Sequence, residues 1–148
     1  MFEGGIRVPA AISWPCVIPA NQFRDQMSVN VDWMPTLIEL CGFETDTSEM
    51  DGKSLMSIIE NEKALSNHQN GYCWEFRHRG KSTWVARKGN WKLYANPYDT
   101  SRRDYTYTEK FVLYDLENDP GESINLYDQE TAVVNELKNL YNNWKSQQ

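Results

Sequence analysis

Two patterns of hydrophobic and polar residues divide this chain near residue 71. In the first part, the run from Val8 to Trp14 is apolar without alternation, which is typical of a strand buried on both faces. From Gly71 the period becomes two: Tyr72, Trp74 and Phe76 fall on one face of a strand, and Cys73, Glu75 and Arg77 fall on the other. The chain is therefore expected to hold one buried strand early and an amphipathic sheet later.

Three further strands are predicted in the second part. Residues 83–87 and 91–95 are separated by Gly89 and Asn90, residue types that suit a two-residue hairpin, so these strands should pair antiparallel. A polar insertion at residues 96–110 precedes the fourth strand, at residues 111–116. The sheet is therefore expected to have four antiparallel strands.

The last predicted element is a helix from about Gln129 to Ser146, with Asp128 placed to cap it. Its apolar stripe is formed by Val133, Leu137, Leu140, Tyr141 and Trp144. A stripe of this width can cover one face of the sheet.

Two short helices are predicted between the buried strand and the sheet. Asp32 can cap a helix that runs to about Cys41, and Gly42 suits the left-handed residue that ends a helix. After a turn, Ser54 can cap a second helix. The fold class is thus α+β, and the polar stretch at residues 60–70 is the expected link between its two parts.

The composition indicates a globular chain and excludes some classes of function. Its 148 residues suit one compact domain, and 40% of them are hydrophobic. The net charge of −6 is the wrong sign for binding nucleic acid through phosphate contacts. Apolar stretches fall short of the ~20 residues of a membrane span, and no export leader opens the chain. We expect neither nucleic acid nor membrane as a partner.

The cysteines are too few and too far apart to define a covalent framework. Cys16, Cys41 and Cys73 contain no Cys-x-x-Cys pair, and only His68 and His78 could join them as soft ligands. This spacing suggests neither a set of disulfides nor a zinc site. No metal is therefore expected in this chain.

Three motif stretches, in this order and spacing, carry a resemblance to a known family. The first is Glu-Gly-Gly-Ile-Arg-Val-Pro at positions 3–9 with Trp-Pro at 14–15. The second is Asp-x-x-Pro-Thr-Leu at 32–37, Gly42, and Asp-Gly-x-Ser-Leu at 51–55. The third joins Arg-x-Gly-x-Trp-Lys-Leu at 87–93 with Leu-Tyr-Asp-Leu-x-x-Asp-Pro-x-Glu-x-x-Asn-Leu at 113–126. Together they resemble the C-terminal region of sulfatases, a branch of the alkaline phosphatase superfamily.

The resemblance implies a two-part origin for the chain. Residues 1–65 would be the tail end, a strand and helices, of a large α/β sulfatase domain, and residues 66–148 a C-terminal subdomain of antiparallel sheet plus helix. Most motif residues are expected to serve the scaffold. Gly4 and Gly5 would allow a close backbone turn, and Asn125 would tie its side-chain amide to the loop backbone.

The family's chemistry is expected outside this chain. Sulfatases use a formylglycine made within Cys/Ser-x-Pro-x-Arg, a calcium held by Asp and Asn side chains, and Lys and His around the sulfate. No cysteine here has the required Pro and Arg, and the Ser13-Trp14-Pro15 start is followed by Val17 instead of Arg. A family lysine would lie just upstream of Met1. We therefore expect no catalytic residue and no cofactor in this chain, with calcium and formylglycine in the complete enzyme.

Substrate contact is expected at the end of the first strand of the sheet. Glu75, Arg77 and His78 are the candidate substrate-binding residues, because carboxylate, guanidinium and imidazole groups suit sugar hydroxyls and sulfates. The segment from Arg77 to Lys92 holds six Lys or Arg residues and no acidic one. It is either a solvated hairpin or a wall that draws in an anionic substrate. Trp74 and Trp84 could stack on a sugar ring, although core packing suits Trp74 better.

The sequence thus predicts the C-terminal part of a sulfatase that hydrolyses sulfate esters, on a carbohydrate. Its expected partner is a sulfated small molecule or glycan, and the exposed N-terminal segment is expected to allow self-association. Two alternatives stay open: a phosphonate or phosphate monoester hydrolase of the same superfamily, and a non-catalytic structural or glycan-binding module. The compartment is unknown, since the family occurs in periplasmic, secreted and lysosomal forms.

Overall fold

The computed structural model describes residues 2–78, 80–97 and 110–148, and gives only the backbone of His78 and Lys81. The chain forms two compact units, one of Met1–Pro9 with Gly71–Gln148 and the other of Ala10–Asn70. The predicted division after residue 65 concerns the complete protein and stays a prediction. Most of the predicted polar insertion lies outside the described residues.

The unit that contains the chain's end is an antiparallel sheet with one long helix. After helix α1 (Glu3–Ile6), its strands are β1 (Tyr72–His78), β2 (Lys81–Lys88), β3 (Trp91–Ala95) and β4 (Phe111–Asp115). They lie in the order β1-β2-β3-β4, each antiparallel to the next. Lys88 pairs with Trp91, and Gly89 has a φ of +57°. The predicted four-stranded sheet and its two-residue hairpin are confirmed.

One face of the sheet packs against the C-terminal helix (Thr131–Lys145, called α4 below). The buried residues of this core are Cys73, Ala86, Leu93 and Leu113 from the four strands and Val134, Leu137 and Tyr141 from the helix. The other residues of the predicted stripe, Val133, Leu140 and Trp144, pack against this core partly buried, so the stripe is confirmed, and Val134 joins it although it was not predicted. The predicted cap is wrong, because α4 begins after Glu130 and no side chain caps it. Asp128 lies too far before the first turn to reach its N–H groups.

The opposite face of the sheet is covered by the start of the chain, which the sequence did not predict. Val85, Tyr94, Val112, Tyr114 and Leu116 are buried on this face. The ring of Phe2 stacks on Tyr94 with centroids 5.0 Å apart and meets Tyr114 edge-on at 6.3 Å. The sheet is thus covered on both faces, so β3 and β4 bury both sets of alternating side chains.

The second unit, Ala10–Asn70, is mainly irregular. It contains a 3-10 helix (Asn30–Asp32), helix α2 (Trp33–Leu40) and helix α3 (Met56–Glu60). Helix α2 ends as predicted: Gly42 has a φ of +67°, and the Phe43 N–H donates to the Ile38 carbonyl at 3.0 Å. None of the helices among the described residues is both long and apolar enough to traverse a bilayer.

The predicted buried strand at residues 8–14 is wrong for this chain. Residues 8–14 form no strand, and the side chains of Val8 and Trp14 are 73% and 40% exposed. A strand requires a neighbour that pairs with its N–H and C=O groups. The described residues place no strand beside this segment, so its apolar pattern is not satisfied here.

Leu137 offers a direct test of the packing between the sheet and α4. Its side chain is 1% exposed within the core, so Leu137→Ala should lower the free energy of unfolding by about 2–5 kcal/mol through lost burial and a cavity. Asn139→Ala, at an exposed position of the same helix, is the control and should change it by less than ~0.5 kcal/mol. Urea denaturation followed by tryptophan fluorescence measures both. Equal small effects would show that α4 does not pack as described.

Candidate functional site

A buried charge cluster joins the first and third motif stretches. Lys92, on β3, has no exposed surface, and its Nζ lies 2.5 Å from Glu3 Oε1 and 3.1 Å from Glu122 Oε1. The Arg87 guanidinium lies 3.7 Å from Glu3 Oε2. Two carboxylates thus face two cations, and the buried charges balance. We call Glu3, Lys92, Tyr94 and Glu122 the Lys92 cluster.

Hydrogen bonds complete the Lys92 cluster. The Tyr94 hydroxyl donates to Glu122 Oε1 at 2.5 Å, and the Glu3 backbone N–H donates to Glu122 Oε2 at 2.5 Å. Burial, followed by the contact with Glu122, raises the pKa of Tyr94 well above its usual range. The Tyr94 hydroxyl therefore keeps its proton and stays a hydrogen-bond donor to Glu122.

The turn after β4 places Glu122 in the cluster. Asp119 Oδ2 accepts hydrogen bonds from the N–H groups of Ser123 and Ile124 at 2.6 and 2.8 Å. Glu122 has a φ of +54°, a left-handed conformation that points the chain back towards the sheet. Asn125 Oδ1 accepts from the Leu113 N–H at 3.0 Å, as expected for a side-chain amide tied to the backbone. The Asp-Pro-x-Glu-x-x-Asn stretch is therefore a positioning loop.

The expected role of the two early glycines is not observed. Gly4 and Gly5 lie in α1, and a Cβ added at either would meet no atom within 4 Å. Neither has a positive φ. Within the described residues, Glu3 is the member of this stretch that has a buried role.

The second motif stretch forms its own buried network in the other unit. Asp32 is fully buried, and its carboxylate accepts hydrogen bonds from the N–H groups of Val29 and Lys53 at 2.8 and 2.9 Å. His68 Nε2 lies 2.9 Å from Asp32 Oδ2. Asp32 was predicted to cap α2, but its carboxylate makes no cap bond to that helix. It joins three loop segments instead, which the spacing along the chain does not reveal.

Thr36 and Gly52 explain the rest of this stretch. The Thr36 hydroxyl donates to the Asp32 carbonyl at 2.6 Å and accepts from the Leu55 N–H at 2.9 Å. A Cβ at Gly52 would lie 2.0 Å from the Val31 carbonyl oxygen. Any side chain at position 52 would therefore push the loop around Gly52 away from Val31 and disrupt the network around Asp32.

The calcium ion expected in the complete enzyme needs a group of oxygen ligands. Across residues 2–78, 80–97 and 110–148, no three His, Cys, Asp or Glu side chains are grouped so as to hold a metal ion. The calcium implied by the resemblance therefore does not fit any set of side chains in this part of the chain.

Glu75, one of the predicted substrate-binding residues, is held by several hydrogen bonds. It accepts hydrogen bonds from Ser82 Oγ at 2.6 Å, Lys145 Nζ at 2.7 Å and Tyr141 Oη at 2.8 Å. The hydrogen bonds from Lys145, Ser82 and Tyr141 lower the pKa of Glu75 to about 2. Glu75 thus connects β1 with β2 and with α4.

Arg77 and His78 lie beyond Glu75 at the end of the same strand. Arg77 is exposed. His78 pairs through its backbone with Lys81, the first residue of β2. Their contact with a substrate stays a prediction, and so does that of Glu75.

The basic segment at residues 77–92 is less positive at the surface than its sequence suggests. Lys92 is buried in its cluster, Lys88 Nζ lies 2.6 Å from Glu136 Oε1, and Arg87 lies near Glu3. Trp74 packs on the covered face of the sheet, as preferred from the sequence, and Trp84 stacks on Tyr141 with centroids 4.0 Å apart. Of the described side chains, Arg77 is the exposed cation nearest the strand's end.

Comparison with known proteins defines the class to which this scaffold belongs. Residues 1–147 match the model of a family described as N-sulphoglucosamine sulphohydrolase, C-terminal. The chain therefore belongs to this C-terminal sulfatase family. It spans about a quarter of the length of the first curated relatives it matches.

Individual relatives are similar over most of this chain. A sulfatase of Formosa agariphila is 33% identical over 136 residues, covering 84% of this chain and 23% of the relative. The N-acetylglucosamine-6-O-sulfatase of Bacteroides thetaiotaomicron is 30% identical over 135 residues, covering 86% and 22%. A protein solved with its substrate D-glucosamine-2-N,6-O-disulfate matches the fold with a TM-score of 0.69 at 23% identity, covering 90% of this chain and 27% of that one.

Replacing Lys92 tests the energetic weight of the Lys92 cluster. Lys92→Met removes the buried cation that Glu3 and Glu122 share and leaves only Arg87 near Glu3, so it should lower the free energy of unfolding by about 3–5 kcal/mol. Lys88→Met removes a surface pair whose side chains are 44% and 54% exposed, and should cost at most ~1 kcal/mol. Urea titrations of both variants make the comparison. A loss of the same size in both would mean that the cluster adds nothing beyond a surface ion pair.

The lowered pKa of Glu75 predicts a pH-dependent contribution to stability. Since the folded-state pKa is about 2 and the ordinary value is 4.5, this contribution is complete above pH 4.5 and disappears as the pH falls through about 2. The stability difference between wild type and Glu75→Gln should therefore stay constant from pH 7 to about pH 4.5 and shrink between about pH 4.5 and pH 2. Urea midpoints across this range measure it. A difference that stays constant over the whole range would contradict the ionised, hydrogen-bonded carboxylate.

Proposed function

We propose that this chain forms the C-terminal part of a sulfatase that hydrolyses a sulfate ester of a carbohydrate. The family match over residues 1–147 supports the sulfatase class most strongly. The sugar is supported by the name of the Bacteroides thetaiotaomicron relative and by the sulfated glucosamine bound to the structural neighbour. The formylglycine nucleophile and calcium of this family would be supplied by the rest of the complete protein.

In this proposal the end of β1 borders the substrate pocket, with Glu75, Arg77 and His78 as the contacts. The exposed guanidinium of Arg77 suits a sulfate or sugar hydroxyl. Glu75 uses three of roughly four acceptor sites of a carboxylate, with one bond on Oε1 and two on Oε2. The remaining site on Oε1 can accept from a sugar hydroxyl, while the bonds already formed hold the strand's end in place.

On its own, the chain is proposed to self-associate through the exposed N-terminal segment. The apolar side chains of Ile6, Val8 and Trp14 are 42%, 73% and 40% exposed. Backbone groups in an extended apolar segment pair readily with a second copy. Covering this surface would lower its contact with water.

A chimera tests the proposed function. The matching C-terminal quarter of the Bacteroides thetaiotaomicron N-acetylglucosamine-6-O-sulfatase is replaced by this chain, and sulfate release from N-acetylglucosamine 6-sulfate is measured. We expect turnover by the chimera and none by the upstream part alone. The isolated chain should release no sulfate from this sugar or from an aryl sulfate, with or without calcium. A folded but inactive chimera, or turnover by the isolated chain, would refute the proposal.

Arg77→Ala in the same chimera tests the substrate contact. Loss of a charge-assisted contact of ~1.5–3 kcal/mol should raise KM by about ten- to a hundredfold with little change in kcat. Lys88→Ala, on the same sheet, is the control and should leave both constants unchanged. An unaltered KM in the Arg77 variant would remove this residue from the proposed pocket.

A further inference from the structure

Buried contacts fix the rotation of helix α2 about its own axis. Its inner face presents Pro35 and Thr36, both buried, and the Thr36 hydroxyl bridges the Asp32 carbonyl and the Leu55 N–H. The Asp32 carboxylate anchors the start of the helix to the Lys53 N–H and to His68. Rotating the helix about its axis would break these buried hydrogen bonds. The opposite face must therefore point outward.

That outward face is apolar. Met34, Leu37 and Cys41 are spaced three to four residues apart, as on one side of a helix, and Val31 continues this spacing in the 3-10 helix just before α2. We call these four residues the outer stripe. Val31, Met34 and Leu37 are 44%, 62% and 48% exposed, and Phe43, just beyond the helix, is 66% exposed. Only Thr36 and Glu39 are polar among the eight residues of α2, and a helix with so few polar positions is typical of one that is buried. All four side chains of the outer stripe are nevertheless exposed, so the described residues leave this face uncovered.

We propose that the outer stripe is the docking surface for the upstream part of a sulfatase chain. This inference rests on the proposed function only for the class of partner. The matched curated relatives are about four times as long as this chain, so the same region is accompanied in them by much more polypeptide. In the structural neighbour, too, the shared fold covers only 27% of the chain. The partner is thus a sulfatase polypeptide with an apolar surface that accepts Met34 and Leu37.

Binding in trans tests this docking surface without any need for turnover. The upstream part of the Bacteroides thetaiotaomicron sulfatase is immobilised, and this chain is titrated over it. The variant Met34→Glu with Leu37→Glu keeps good helix formers at both positions while placing charge in the stripe. We expect the wild-type chain to bind and the double variant to bind at least about tenfold more weakly, as for the loss of central apolar contacts.

A charge-matched control separates docking from general electrostatics. Gln69→Glu with Asn70→Asp adds the same two negative charges at exposed polar positions and should bind like wild type. The melting midpoint of the Met34 and Leu37 variant should equal that of wild type, because the stripe is exposed. A lower midpoint would mean that the stripe is already packed within this chain, and the proposal would fail.

The remaining outcomes also decide between occupants. Absence of wild-type binding, or equal binding by both variants, overturns the proposal. Light scattering in which only the stripe variant changes from dimer to monomer, without binding to the upstream part, would identify a second copy of this chain as the occupant instead. Docking with an inactive chimera would leave the surface established and refute the proposed sulfatase activity. An active chimera without stripe-dependent binding would support the proposed sulfatase activity and refute the docking surface.

Discussion

The buried ammonium of Lys92 is the interaction on which the sheet's second face depends. Removing a lysine from water costs several kcal/mol, which only close and well-placed carboxylates offset. Here Glu3 and Glu122 provide them from opposite ends of the chain, and the Tyr94 hydroxyl occupies a further acceptor site on Glu122. The aromatic ring of Tyr94, 5.0 Å from the ammonium, adds a favourable cation–π contact. Without this arrangement, the start of the chain would have little reason to lie across the sheet.

The two faces of the sheet are stabilised by different physics. On the face that packs against α4, aliphatic side chains and stacked rings bury apolar area. Whether a substitution is tolerated there depends on the volume and shape of the new side chain. On the face covered by the start of the chain, a few charged groups fix how the chain lies on the sheet. Whether a substitution is tolerated there depends on charge balance. The Asp32 network in the other unit follows the second principle, since a single carboxylate gathers backbone N–H groups from separate loops. Motif residues without catalytic chemistry thus have strict requirements of their own.

Much of the fold could be predicted from the sequence because its signals are local. Alternation in β1, the turn residues Gly89 and Asn90, the stripe of α4 and the glycine after α2 each act within a few residues. The candidate site was harder to predict. Lys92 looked like part of a basic surface, and its two carboxylates lie 30 or more residues away along the chain. The run at residues 8–14 has a clear local pattern, but this pattern was misleading. It predicts a strand between neighbouring strands, and the described residues contain no such neighbours.

The wide sequence separation within the Lys92 cluster bears on the order of synthesis. Glu3 and Lys92 are 89 positions apart, and the Glu3 N–H and its acceptor on Glu122 are 119 positions apart. A ribosome therefore releases the first carboxylate long before either partner exists. Closing such large loops costs more conformational entropy than closing short ones, so these contacts form late. Hairpins can form as soon as both of their strands have emerged. During translation Glu3 therefore cannot complete its buried contacts until residue 122 has been made.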